Sequence, residues 1–123
     1  MKNPVGWFEI PVTDMDRARS FYENVFQTKL TMEEMGSMQL AQFDWDFEGK
    51  GSTGTLIKSE GYEPANVGTI VYFTAPDLAS HLKRVEENGG KVLVPKMQIG
   101  EHGYIAHFID CEGNRVALHS RVG

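Results

Sequence analysis

Three ionisable residues, Glu9, Lys58 and His119, fall in strand-like runs and alternate with apolar neighbours, so each points to one side of a sheet. A glutamate facing a histidine across a cleft can pass protons to and from a substrate. The same two side chains can instead hold a divalent metal ion between them. Glu9 can equally serve the scaffold, because an inward-facing carboxylate is costly unless paired, and Lys58 or a tyrosine hydroxyl at the rim would meet that need. Lys58 reads as a rim charge with its stem on the sheet. His119 stands near the C-terminal end of its strand, where a partly exposed imidazole without function is as natural as a catalytic one. Trp7, Leu56, Thr69, Val71, Phe73 and Ala117 are expected on the same wall, which is apolar and partly aromatic, as small-molecule sites are. Trp7 either stacks on a flat ligand or plugs the space.

Other candidates carry weaker signals. His107 recurs at the position of Gln42 in an internal repeat, but the face it occupies depends on strand register. His102 lies in a glycine-bearing stretch, residues 95–103, that can lie over a cleft. His81 sits on a helix and reads as surface or boundary. Cys111 is flanked by Asp110 and Glu112, which raise a thiol's pKa rather than activate it. There is no P-loop, no GxGxxG and no CxxC, so nucleotide and thiol-redox chemistry lack support.

The elements that must position these residues come in two copies. Val5 to Val12 alternates as a strand, with Phe8, Ile10 and Val12 toward a helix and Trp7 and Glu9 opposite. Thr13 and Asp16 form an acidic variant of a capping box, and Ala18, Phe21, Tyr22 and Val25 follow at helical spacing. Short strands then surround turns at Met35-Gly36-Ser37 and Glu48 to Gly51. The second copy opens at Val67-Gly68, starts its helix at Pro76-Asp77 and stops it at Asn88-Gly89-Gly90. Landmarks recur at offsets of about 61 to 65 residues. Each unit reads βαβββ, with module one at about 4–59, a linker at 60–66 and module two at 67–120 of a single domain, 1–123.

At 123 residues and 41% apolar the chain is large enough to bury a core. A net charge of −5 with scattered acids disfavours nucleic acid and anionic membranes as partners. No run approaches membrane-spanning length, the N-terminus lacks an apolar signal region, and the lone cysteine suits a reducing compartment. A cytoplasmic location is the expectation.

Val12-Thr13-Asp14, Arg17-Ala18 and Phe21-Tyr22, together with the closing run Asp110 to Leu118, make the chain resemble the vicinal oxygen chelate superfamily. That group includes glyoxalase I, bleomycin-resistance proteins and extradiol dioxygenases. The "WFEIPV" start and "LHS" end are similar to small bacterial glyoxalase-related proteins without assigned activity. The resemblance implies an α+β fold in which two tandem modules form an open, cleft-bearing mixed β-barrel with helices outside, commonly as a homodimer. It also implies metal-ligand positions at Trp7 and Thr69, 62 residues apart, and at Leu56 and Ala117, 61 apart. None of these four is a good ligand for a divalent metal. The expected function is therefore binding of a small, partly apolar or aromatic molecule without a cofactor. The alternative is a glyoxalase-related lyase or isomerase using Glu9 and His119 as acid and base, or as a displaced metal site. A third possibility is a filled barrel with no ligand.

Overall fold

A computed structural model of the chain describes residues 3–46 and 48–122; Met1, Lys2, Phe47 and Gly123 lie outside the described residues. Module one contains β1 (Phe8–Pro11), α1 (Met15–Phe26), β2 (Thr31–Met35), β3 (Met38–Gln42) and β4 (Gly54–Lys58). Module two contains β5 (Tyr72–Thr74), α2 (Leu78–Glu87), β6 (Lys91–Gln98), β7 (Tyr104–Ile109) and β8 (Arg115–Ser120). The sheets have matching orders, β1-β4-β3-β2 and β5-β8-β7-β6, with one parallel pair each, β1 with β4 and β5 with β8. Two tandem βαβββ modules make an α+β fold, as expected.

Both helices start at an aspartate. Asp14 accepts from the Arg17 amide and Asp77 from the Ser80 amide, each satisfying a donor of the first turn. The expected capping box from Thr13 to Asp16 is not formed. Thr13 instead donates its amide and its hydroxyl to Glu112, in the turn between β7 and β8. The stretch expected as a loop over residues 95–103 also differs, because β6 runs on to Gln98 before a 3₁₀ turn at Gly100–His102. β6 is an edge strand and its register shifts between Val94 and Met97, which is where a sheet tolerates Pro95 without an amide hydrogen.

The helix-facing sides of both sheets and both helices share one core, which includes Ile10, Tyr22, Leu56, Leu78, Phe108 and Leu118. An aromatic cluster ties the modules. Phe8 and Phe73 pack edge to face at 5.5 Å between ring centres, and Tyr22 lies edge-on to Phe43 at 5.7 Å. The turn after β7 locks the joint. Asp110 accepts from the buried Tyr22 hydroxyl at 2.7 Å and from the amides of Glu112 and Asn114. Asn114 in turn donates to the Pro11 carbonyl and accepts from the Ala65 amide, joining β1, the linker and β8. Gly113 holds φ at 95°, a conformation that favours glycine in so tight a turn.

Candidate functional site

Register decides which side chains share a wall. Val12 donates its amide to Ile57, and Ala75 donates to His119, so these pairs are equivalent in the two modules. The helix caps Asp14 and Asp77 agree, being 63 residues apart. Glu9 therefore corresponds to Tyr72, Ile10 to Phe73, and Leu56 to Leu118. The expected equivalences of Trp7 with Thr69 and of Leu56 with Ala117 are each one residue short. A one-residue slip in a strand moves a side chain to the other face.

The helix-averted face of each sheet carries a matching cross-strand row. In module one the row is Glu9, Thr55 and Gln42; in module two it is Tyr72, Ala117 and His107. Leu56, expected on the wall, is fully buried in the core instead. Val71 and Phe73 alternate with Tyr72 and so share the helix-facing side, Phe73 packing against the core. Ala117 and His119 lie on the expected face.

A groove of about 1030 Å³ opens between the modules. Its aromatic walls are Trp7, Phe8, Phe43, Tyr72 and Phe73, and its charged lining is Glu9, Asp44 and Lys50. A smaller pocket of about 150 Å³, lined by Glu63, Asn114 and Arg115 among others, shares Glu9, Thr69 and Val71 with it. Of the residues expected at the site, Trp7, Glu9, Thr69, Val71 and Phe73 thus reach the groove. Leu56, Lys58, Ala117 and His119 line neither cavity. Val71 and Phe73 reach it because the groove cuts down into the aromatic cluster between the modules.

Glu9 is exposed and forms no ion pair among the described residues, so Lys58 does not pair with it there. Lys58 is exposed at the end of β4. The Nε2 of His119 sits 2.6 Å from the His102 carbonyl rather than against Glu9. His81, expected at the surface or boundary, is buried beside Phe26 with Nδ1 2.8 Å from the Asp77 carbonyl. Cys111 is half-buried, and burial, then the Asp110 carboxylate, pushes its thiol up to about 12.

One constellation went unread in the sequence. His107, 7% exposed, accepts at Nδ1 from the Arg115 Nε at 3.1 Å and meets the Tyr72 hydroxyl through Nε2 at 2.9 Å. Burial, and then the Arg115 charge, lowers the imidazole pKa below its ordinary value. The polar recurrence of Gln42 and His107 was the available signal, but without the register it named no partner. Thr55, in the equivalent row, buries a hydroxyl that has no hydrogen-bond partner among the described residues.

A divalent metal, which the resemblance implies, would need its ligands from these rows. With the register corrected, the module rows offer one carboxylate, Glu9, and one imidazole, His107, that is already engaged at both nitrogens. Among the described residues no three His, Cys, Asp or Glu side chains converge as a metal site would need. The residues present do not fit the group.

A family model described as the glyoxalase/bleomycin resistance protein/dioxygenase superfamily matches residues 5–118. The chain belongs to this superfamily. A glyoxylase-like domain-containing protein from Didymella fabae is 31% identical over 124 residues, covering 97% of this chain and 94% of the relative. Among solved structures, a glyoxylase/bleomycin resistance protein/dioxygenase domain from Frankia sp. EAN1pec superposes with a TM-score of 0.74 at 15% identity, covering 98% of each chain. A glyoxalase I mutant from Zea mays superposes with a TM-score of 0.72 at 22% identity, over 96% of this chain but 47% of that one. This superfamily chain therefore spans about half the length of the plant enzyme. At these identities the structural likeness speaks for the fold alone. No helix among the described residues is long and apolar enough to cross a membrane.

Proposed function

We propose that this superfamily member binds a small, partly apolar or aromatic molecule in the groove between its modules, without a resident metal. The observation that carries this reading is the open, aromatic-walled groove of about 1030 Å³, large enough for a drug-sized ligand. A filled interior would have favoured a module without a ligand. Trp7 is 46% exposed on the groove wall and has room to stack on a flat ring. A lyase or isomerase is the less supported reading. Glu9 stands in the groove as a candidate base, but the His119 expected beside it bonds to the His102 carbonyl.

A homodimer belongs to the same proposal. Met35, Trp45 and Met97 are each about half exposed, at 53%, 48% and 48%, and a second copy would cover such apolar surface. A cytoplasmic site of action accords with the lone cysteine.

The test of the binding reading is a fragment screen by two-dimensional NMR on chelator-treated protein, with Trp7→Ala as control. The reading expects flat apolar fragments to shift the amides of residues 5–9 and 69–74 in the wild type and less so in the variant. Elemental mass spectrometry of tag-free protein addresses the alternative. Stoichiometric zinc, nickel or manganese that is lost in Glu9→Ala would move the conclusion to the enzyme.

A further inference from the structure

The Tyr72–His107–Arg115 chain fixes where hydrogens sit. A guanidinium in a protein stays protonated, so Arg115 Nε is a donor and His107 Nδ1 must present a lone pair. The single hydrogen of the neutral imidazole is then on Nε2, and it is donated to the Tyr72 oxygen 2.9 Å away. A proton on Nδ1 would point at the Arg115 N–H, so the fold also holds the ring neutral. Tyr72 receives this hydrogen bond and keeps its own hydroxyl hydrogen. No other described group accepts that hydrogen.

The sheet builds the arrangement. Tyr72 on β5 and His107 on β7 are both register partners of Ala117 on β8, and the small alanine lets the flanking side chains meet above it. Tyr72 is 47% exposed and lines the groove, while Arg115 lines the smaller pocket beside it. We propose that Tyr72, positioned by His107 and Arg115, donates its hydroxyl hydrogen to a carbonyl or amide oxygen of a neutral ligand in the groove. This rests on the groove-binding reading. The neutral class follows from the groove's charges, the two carboxylates of Glu9 and Asp44 against the one ammonium of Lys50, which disfavour a carboxylate ligand.

The test uses acetophenone and ethylbenzene, which match in shape except for the oxygen, titrated into the full chain and followed by NMR. Acetophenone is expected to bind the wild type roughly tenfold more tightly than Tyr72→Phe, the loss typical of one removed hydrogen bond. Ethylbenzene is expected to bind both proteins alike. Nitrogen shifts of His107 in the free protein should show Nε2 protonated and Nδ1 bare, with that preference relaxed in Arg115→Met. Two probes that bind equally well to wild type and Tyr72→Phe would overturn the inference and leave the groove-binding reading standing. Failure of both probes to shift any groove residue would overturn the two together. A proton found on Nδ1 would overturn the donor assignment whatever the titrations gave.

Discussion

Glu112 does at one side chain what a local cap does elsewhere. From the turn between β7 and β8 it accepts from the Thr13 amide and hydroxyl, the Asp14 amide and the Arg17 guanidinium, the last at 2.5 Å. Its side chain is sealed from solvent. Burial alone would raise its pKa, but the hydrogen bonds from Arg17, Thr13 and Asp14 outweigh that and hold it below the ordinary 4.5. A depressed carboxylate contributes stability that is fully present above its unfolded value. That contribution is lost as pH falls from about 4.5 through the folded value. Glu112→Gln is expected to lose about 1–2 kcal/mol at pH 7 and progressively less as the pH is taken below 4.5, as urea melts at pH 7 and at pH 3 would show. Equal losses at both would mean that packing rather than charge is at work. Nearby, the Cys111 thiol at about 12 carries almost no thiolate at neutral pH. Iodoacetamide at pH 7.5 should leave native protein unlabelled for hours and label it promptly in urea. At the buried end of the same joint, Tyr22→Phe removes a donor to the Asp110 carboxylate and is expected to cost about 2 kcal/mol in chemical denaturation.

Among the elements, Gly54 of β4 lies against its β1 partner Phe8 with no room for a side chain. A Cβ there would stand 2.2 Å from the Phe8 carbonyl oxygen, a backbone atom that cannot move without disturbing the parallel pair. Gly54→Ala is expected to destabilise the fold by about 3 kcal/mol, read from the midpoint of thermal or urea unfolding. This is also the scale at which the sequence was most and least legible. Both helices were placed within a residue or two, since Ala18, Phe21, Tyr22 and Val25, and later Leu78, Leu82 and Val85, repeat at a period that no short gap disturbs. The alternation of Phe8, Glu9 and Ile10 gave the faces of β1 correctly. Carrying the faces from one module to the other failed, because the repeat runs at 63 residues from Glu9 to Tyr72 and 62 from Ile57 to His119, which misplaced β5 in module two and β4 in module one. An error of one residue is invisible in an offset read from matched landmarks, yet it reverses a strand. Leu56 was lost to the core and Tyr72 was missed for that reason. The cap by Glu112 was unreadable for another, since it joins positions 99 residues apart that only the packed joint brings together.

For the molecule as a whole, the two modules share one core, and the groove is what their joining leaves open. For the proposed dimer, light scattering at micromolar concentration is expected to give twice the 13.8 kDa chain mass. A monomer at every concentration would rule out the dimer and leave the groove-binding reading untouched. The proposed ligand of the groove is a small, partly apolar molecule held with no metal present. Two-dimensional NMR of isotope-labelled protein, titrated with flat aromatic fragments first in chelator and then with added divalent zinc, separates this binding from a metal-dependent site. Saturable shifts are expected at Trp7, Thr69 and Tyr72 in chelator, unchanged by the metal. Shifts that appear only once zinc is added, or that fall away from the groove altogether, would overturn metal-free binding in the groove.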